Sequence, residues 1–193
     1  MRVLVACEFS GVVRRAFEKR GHDVLSCDLL ESEDNSPFHY QGDIRDLLNQ
    51  QWDLMIAHPP CTDIAVSGAA HFKAKIADGR QQRALDFVQL LMDANIPRIC
   101  IENPVSVISS KIRKPDQIIQ PWHFGDDASK KTCLWLKGLP LLAATNRLPG
   151  DDRTRRANQT ASGQNKLGPS PTRARERSRT YQGIADAMAN QWG

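Results

Sequence analysis

The chain has 193 residues and a formal net charge of +4, and 40% of its residues are hydrophobic. That is enough for one domain with its own core, so neither a cofactor nor a disulfide is needed merely to stabilise the fold. The five cysteines are widely spread, without a C-x-x-C pair or histidines at ligand spacing, which argues against a disulfide framework and a metal site. The start of the chain turns polar after Cys7, and no apolar run approaches the ~18 residues of a membrane span. We expect a soluble, intracellular protein with reduced thiols.

The first half of the chain alternates strand and helix patterns. Short apolar runs predict strands, and apolar residues at helical spacing predict helices that end near Gly21 and near Asn95. Such alternation is typical of a parallel sheet wound by helices. The predicted elements are, in chain order, strand RVLVACEF, helix VVRRAFEKR, strand DVLSCD, a helical turn in GDIRDLL, strand WDLMIAHP, helix RQQRALDFVQLLMDAN and strand RICIEN.

The pattern changes after Ser129. The stretch SKKTCLWLKGLP predicts an antiparallel or edge strand followed by a turn. Residues 146–180 contain nine Lys or Arg against three Asp or Glu, an excess of six positive charges, so the rest of the chain has a net charge of −2. This segment has few large apolar residues, which predicts a long loop that is partly disordered without a ligand. The final stretch YQGIADAMANQWG predicts a helix that packs on the core through Ile184, Met188 and Trp192.

Ligands of such sheets bind outside the carboxyl ends of the strands, so the residues that follow each strand are the candidates. After the first strand, Gly11 would let the backbone approach a ligand, and the next helix would offer its N-terminal amides to an anion; an ordinary turn is the alternative. Asp28 ends the second strand, where an acid typically accepts hydrogen bonds from a ribose. Asp43 would accept from an adenine amino group or cap the helical turn that it precedes.

The sharpest motif is His58-Pro-Pro-Cys61, at the end of the third strand. Two prolines stiffen the approach, so Cys61 is held at the sheet edge, where it would be a nucleophile if its pKa were lowered. A packed core cysteine is the alternative. Glu102 follows the fourth strand, and partial burial there should raise its pKa and make it a proton donor. The alternative is a structural carboxylate paired with a Lys or Arg.

The order of these motifs resembles that of the DNA (cytosine-5)-methyltransferases. The motifs are, along the chain, FSG, the acid ending strand two, Asp43, PPC and EN. The resemblance covers roughly residues 2–137 and is closest to small phage and prophage members. It implies an α/β, Rossmann-like fold that uses S-adenosylmethionine, with a mostly parallel sheet and helices on both faces. It also implies a cytoplasmic location, in a bacterium or a phage-infected host. The stretch YQGIADAM looks like the family's last motif, which completes the cofactor pocket.

The resemblance implies a covalent mechanism. The Cys61 thiolate would attack carbon 6 of cytosine while Glu102 protonates or hydrogen-bonds nitrogen 3, and the methyl group would then transfer to carbon 5. Asn103 would brace the cysteine loop or the glutamate. The residues expected to bind the cofactor are Phe9, Ser10, Gly11, Asp28, Leu29, Asp43, Ile44, Pro59 and Ala185.

The sequence departs from the family pattern in several places. Thr62 stands where the family usually has Gln, His58 replaces a glycine-rich lead-in, and no Gln-x-Arg-x-Arg segment is recognisable. The target-recognition domain is also missing: residues 1–145 would form the catalytic core, 146–180 an arginine-rich loop in its place, and 181–193 the closing helix. Sequence readout should therefore be weak. The residues expected to contact DNA or the base are Thr62, Ser67, Asn103, Lys130, Lys131, Arg153, Arg155, Arg156, Arg173, Arg175 and Arg177.

Three alternatives remain open. The substrate could be a free cytosine nucleotide, which needs no recognition domain, or single-stranded DNA, from which no base has to be flipped. The chain could also be a non-catalytic nucleic-acid-binding relative, although the presence of both Cys61 and Glu102 argues against this. The sequence predicts neither the target motif nor the oligomeric state.

Overall fold

The computed structural model describes residues 1–193, which form one seven-stranded sheet in the order β3-β2-β1-β4-β5-β7-β6. Strands β1 to β5 run parallel, whereas β7 is antiparallel to both of its neighbours. The strands are β1 (Arg2–Ala6), β2 (Asp23–Asp28), β3 (His39–Gln41), β4 (Leu54–Ala57), β5 (Ile99–Pro104), β6 (Gln117–Ile119) and β7 (Thr132–Lys137).

Six α-helices connect and cover the sheet. They are α1 (Val12–Glu18), α2 (Phe72–Ala77), α3 (Arg80–Met92), α4 (Ile108–Lys111), α5 (Arg173–Ser178) and α6 (Gln182–Trp192). Short 3₁₀ turns lie at Ile44–Asp46, Val66–His71 and Pro121–His123. None of the helices combines the length and apolar character that crossing a bilayer requires.

The sheet separates two apolar cores because successive strand residues point to opposite faces. Val3 and Val5 of β1 pack with α1 and α6, whereas Leu4 and Ala6 pack with α3. Both faces are therefore covered by helices, which explains why β1 and β4 are continuous apolar runs. This confirms the α/β fold predicted from the sequence.

Most of the predicted elements are present. The predicted antiparallel strand is β7, which lies inside the sheet rather than at its edge. Strands β3 and β6 were not predicted, because each has only three residues and such short runs show no periodicity. Helix α2 and the short helices α4 and α5 were also missed.

The closing helix α6 begins with a close approach at Gly183. Its N–H donates to the Asp126 side chain at 3.0 Å, and a Cβ there would lie 2.1 Å from the carbonyl oxygen of Phe124. Gly183→Ala is therefore expected to destabilise the protein by about 1–3 kcal/mol, since the clash is with backbone. Urea unfolding measures the effect. Gly168→Ala, where no atom lies within 4 Å, is the matched control and should change stability little.

Candidate active site

The carboxyl ends of four neighbouring parallel strands meet at one edge of the sheet. The order β2-β1-β4-β5 places Asp28, the turn after β1, the Pro-Pro-Cys61 segment and Glu102 side by side along that edge. Parallel pairing requires this, because each strand ends at the same side. The structure thus brings together the strand-end residues that the sequence singled out.

The turn after β1 is built around Glu8, a residue that the sequence analysis missed. The buried Glu8 carboxylate accepts the backbone N–H groups of Val13 at 2.6 Å and Arg14 at 3.2 Å, and burial raises its pKa. The first-turn amides of α1 are therefore already bonded, which corrects the expectation that they are free for a ligand anion. The sequence signal that could have identified Glu8 is its position as an acid between a predicted strand and a predicted helix.

The backbone conformation of this turn requires a glycine at position 11. The φ of Gly11, 67°, lies in the left-handed region, where a side chain is strained. A Cβ would also lie 2.7 Å from guanidinium nitrogens of Arg14 and Arg15. The glycine is thus required by the turn itself, which is the alternative that the sequence left open.

Asn103 ties the segment around Cys61 to β5. Its Nδ2 donates to the carbonyl oxygen of the buried Pro59 at 2.8 Å. The Cys61 carbonyl oxygen accepts the N–H groups of Ile64 at 3.1 Å and Ala65 at 2.8 Å, which closes a tight turn. The two prolines and these bonds hold Cys61 beside Glu102.

Lys75 of α2 fixes the chain that follows the cysteine. Its buried ammonium donates to the Thr62 carbonyl oxygen and lies 3.5 Å from the Asp63 carboxylate. The side chains of Thr62 and Ser67 point to solvent on this loop. They are accessible to a substrate, and their predicted contacts stay predictions. Lys75 was missed because nothing in the sequence relates it to Cys61.

Glu102 is paired with His58. The His58 Nδ1 lies 2.9 Å from Glu102 Oε2, and each side chain is only 8% exposed. Burial would raise the Glu102 pKa, but the positive charge of Lys130 and the contact with His58 outweigh it, so the pKa is lowered. The predicted raised pKa is therefore wrong for the free protein, because the sequence did not show which cations surround the carboxylate.

The antiparallel direction of β7 explains the role of Lys130. The start of β7 pairs with the end of β5, so the preceding residues return to the carboxyl edge. There the charge of Lys130 acts on both Glu102 and Cys61. Lys131 instead pairs with Asp152 at 3.3 Å on the surface. The structure thus separates two lysines that the sequence treated as equivalent.

The Cys61 thiol is half-buried, and its pKa is raised in the free protein. Burial is the main cause and the negative charge of Glu102 adds to it, whereas Lys130 and Arg177 act in the opposite direction. The resting thiol is therefore protonated at neutral pH. Neutralising Glu102 would remove the second cause and favour the thiolate.

The arginine-rich segment divides into two parts. Arg156 is only 5% exposed: its guanidinium stacks on Trp122 and donates to the Pro149 carbonyl oxygen at 3.0 Å. The nearby Asn158 exchanges hydrogen bonds with the backbone of Ser129. The expectation that Arg156 contacts DNA is thus corrected, because its side chain belongs to the core; Arg153 and Arg155 remain exposed.

Helix α5 lies across the carboxyl edge of the sheet. The Arg175 guanidinium lies 4.9 Å from the centre of the Phe9 ring, and Arg175 and Arg179 share Glu33 Oε1 at 3.2 and 2.7 Å. The charge of Arg177 reaches Cys61. Arg173, at the start of α5, is partly buried. The predicted loop therefore contains a short helix placed directly over the candidate site.

Comparisons with known proteins bear on the fold. No protein-family model matches this sequence, and no curated protein matches it significantly. Among solved structures, the chain is similar to a protein assigned as a DNA modification methyltransferase encoded within an E. coli prophage, with a TM-score of 0.52 and 15% identity. The match covers 77% of this chain and 52% of that one, so this chain spans about half the length of its neighbour. The likeness supports a Rossmann-like α/β fold.

A second neighbour, the 16S rRNA methylase RmtB, is more distant. It is 16% identical with a TM-score of 0.37, and the match covers 70% of this chain and 55% of that one. A score this low supports no argument about the fold or the site.

Methyltransferases of this fold typically use S-adenosylmethionine, and part of this edge fits its adenosine end. Asp28 accepts one hydrogen bond, from the Leu30 N–H to Oδ1 at 2.9 Å, so Oδ2 is available to a ribose hydroxyl. Leu29 is 73% exposed beside it and offers an apolar surface to a purine ring. Phe9 is buried beneath Arg175 at the neighbouring strand end.

The other predicted cofactor residues fit less well. Both carboxylate oxygens of Asp43 accept hydrogen bonds from Arg45, one from its backbone N–H and one from its guanidinium. Asp43 thus caps the 3₁₀ turn, which is the role that the sequence left open. Ser10 is buried with its hydroxyl 3.4 Å from Glu8. Ile44 and Ala185 are buried in the two apolar cores and are better explained by packing than by contact with a cofactor.

Proposed function

We propose that this chain is a DNA cytosine-5 methyltransferase that acts through a covalent bond between Cys61 and the base. The observation that best supports it is the juxtaposition of Cys61 and Glu102 at the ends of β4 and β5. Asn103 donates to the carbonyl oxygen of Pro59, just before Cys61, and the charge of Lys130 acts on both Cys61 and Glu102. This arrangement provides a nucleophile, an acid and a cation at one partly buried edge.

In the first step one proton moves from Cys61 to the base. The ionised Glu102 carboxylate would take up the proton of the Cys61 thiol as the sulfur bonds to carbon 6, and would pass it on to nitrogen 3 of the ring. These ionisations are coupled, because a neutral Glu102 no longer raises the Cys61 pKa. The electrons from the sulfur make carbon 5 nucleophilic. After methylation, water acting as a base would remove the proton from carbon 5 and the sulfur would leave. The nitrogen 3 proton would then return to Glu102 and from there to the Cys61 thiolate.

S-adenosylmethionine, when bound, would supply the methyl group. Asp28 would hold its ribose, Leu29 would contact its adenine, and Phe9 would lie beneath it. Lys130 would face the base or its phosphate, in place of the family's missing arginine segment. Burial of the site would exclude water from the reacting atoms.

The exposed arginines support a nucleic-acid substrate. Arg153, Arg155, Arg175, Arg177 and Arg179 are exposed, and the last three lie on or next to α5 above the site. Phosphates would be neutralised by such a cluster. Members of the family that the sequence resembles usually carry a target-recognition domain between the catalytic core and the last motif, where this sequence has residues 146–180, so we expect short or relaxed sequence preference.

Incubation of DNA with the protein and S-adenosylmethionine tests the proposal. Mass spectrometry of the digested DNA is expected to find 5-methylcytosine, and Glu102→Gln should slow its formation because nitrogen 3 loses its proton donor. Methylated adenine, or no modified base on either duplex or single-stranded DNA, would contradict it. A free cytosine nucleotide as the substrate would instead give activity that depends little on salt, since few phosphates are neutralised.

Cofactor binding is a separate expected result. Calorimetry should show binding of S-adenosylmethionine or its demethylated product, and Asp28→Ala should weaken it by about tenfold, the loss of one hydrogen bond to a charged group. Asp43→Ala is the matched comparison and should have a smaller effect, because Arg45 occupies that carboxylate. Absence of binding to either ligand at millimolar concentration would contradict the methyltransferase proposal as a whole.

A further inference from the structure

His58 is a buried group in contact with the proposed acid, and the mechanism above gives it no role. It lies at the end of β4, directly before the two prolines, and faces the buried carboxylates of Glu102 on β5 and Glu8 after β1. Its Nδ1 contacts Glu102, whereas its Nε2 is buried without any hydrogen-bond partner. A histidine in this position is also one of the chain's departures from the pattern it resembles.

The contact fixes which ring nitrogen holds the proton. An ionised carboxylate only accepts hydrogen bonds, so Nδ1 must donate to Oε2, and in a neutral imidazole Nε2 is then a bare lone pair. Leaving a lone pair unpaired is less costly than burying a bare N–H group. The surroundings therefore favour one tautomer, with its N–H directed at Glu102.

We propose that His58 is a positioning residue for Glu102: its Nδ1–H holds Oε2 and stabilises the carboxylate that remains when the other oxygen has given its proton to nitrogen 3 of cytosine. This proposal rests on the function proposed above. As the O–H bond of Glu102 breaks and the N–H bond of the base forms, a neutral-acceptor hydrogen bond becomes a charge-assisted one, which is about twice as strong. The proton returns to Glu102 when the sulfur leaves, so His58 itself neither gains nor loses a proton.

Other charged or titratable groups face the pair. Lys130 reaches Glu102 from the segment before β7, and the thiols of Cys61, Cys100 and Cys133 lie within the field of the same carboxylate. Lys130 supplies charge only, whereas the bond from His58 also holds the direction of one oxygen. Removing His58 should therefore change both the acidity and the orientation of Glu102.

Two substitutions separate these effects from simple packing. His58→Ala removes the donor, whereas His58→Asn places an amide N–H near the Nδ1 position without a group that can become positively charged. The rate of adduct formation with 5-fluorocytosine DNA is expected to fall about tenfold to hundredfold in His58→Ala, from the loss of a hydrogen bond to a charged group. His58→Asn should recover most of that loss, and His71→Asn, on an exposed turn, should have the wild-type rate.

Infrared spectroscopy of the DNA-free protein gives a readout that does not depend on activity. The band of protonated Glu102, assigned by its absence in Glu102→Gln, should appear at a higher pH in His58→Ala than in the wild type. The sign follows from the contact, since removing a group that lowers the Glu102 pKa must raise it.

The outcomes separate this inference from the function on which it rests. An unshifted Glu102 band in His58→Ala, or equal rates for His58→Ala and His58→Asn, would show that His58 only packs. If the band shifts in His58→Ala but the wild-type protein makes no 5-methylcytosine, the pairing is supported and the proposed function is contradicted.

Discussion

Cys61→Ser is expected to abolish methyl transfer, with a loss of at least about 10³-fold, and to form no adduct with DNA that contains 5-fluorocytosine. Fluorine at carbon 5 cannot leave as a proton does, so the bond between the sulfur and carbon 6 persists after methylation. The wild-type adduct should survive denaturation and require the cofactor. Peptide mapping by mass spectrometry identifies the cysteine.

The four other cysteines are internal controls. Burial raises their pKa values, to about 12 for Cys27 and about 11 for Cys133, and Cys7 and Cys100 are also raised. Because Cys61 also has a raised pKa, it should react slowly with iodoacetamide at neutral pH and faster as the pH rises. An adduct on any other cysteine, or native activity in Cys61→Ser, would show that Cys61 is a packing residue.

Replacement of the four arginines of the α5 region by glutamine should weaken DNA binding by on the order of 10³-fold at 0.1 M salt. Removing one arginine–phosphate ion pair lowers the salt slope by about one unit and the affinity by roughly tenfold, and we expect such pairs from the three exposed arginines. The residues are the partly buried Arg173 and the exposed Arg175, Arg177 and Arg179. Fluorescence anisotropy with a labelled oligomer at several salt concentrations measures both quantities, and the thermal melting temperature should change little.

Substitution is a sharper test than deletion of the whole arginine-rich segment. A deletion from Arg153 to Arg179 would also remove Arg156 and Asn158, which bond the segment to the core. A charge-matched comparison uses two double variants. One carries Arg175→Gln and Arg177→Gln, and the control carries Lys19→Gln and Arg20→Gln, just after the end of α1 that is away from the site. Equal loss of affinity in the two double variants would show that net charge, and not this surface, attracts DNA.

The carboxyl-edge candidates were predictable because strand position and spacing are local properties. An apolar run followed by Pro-Pro-Cys61, or by Glu102-Asn103, indicates where a parallel strand ends, and parallel strands end at one edge. The closing helix and the α/β class followed from the same periodicities, whereas helices on both faces of the sheet were implied by the family resemblance. The likeness to the prophage protein supports that class at only 15% identity, since folds persist where sequences no longer do.

Which charges meet at that edge was decided by the tertiary structure alone. The antiparallel direction of β7 returns both lysines to this edge, where Lys130 acts on Glu102 and Lys131 pairs with Asp152. Strand β5 also brings Glu102 beside His58, 44 positions away along the chain. Burial of Arg156 against Trp122 likewise depends on segments that are distant in sequence. Composition and periodicity determine where each strand and helix forms, but the pKa of a buried carboxylate depends on distances between elements, which only their packing sets.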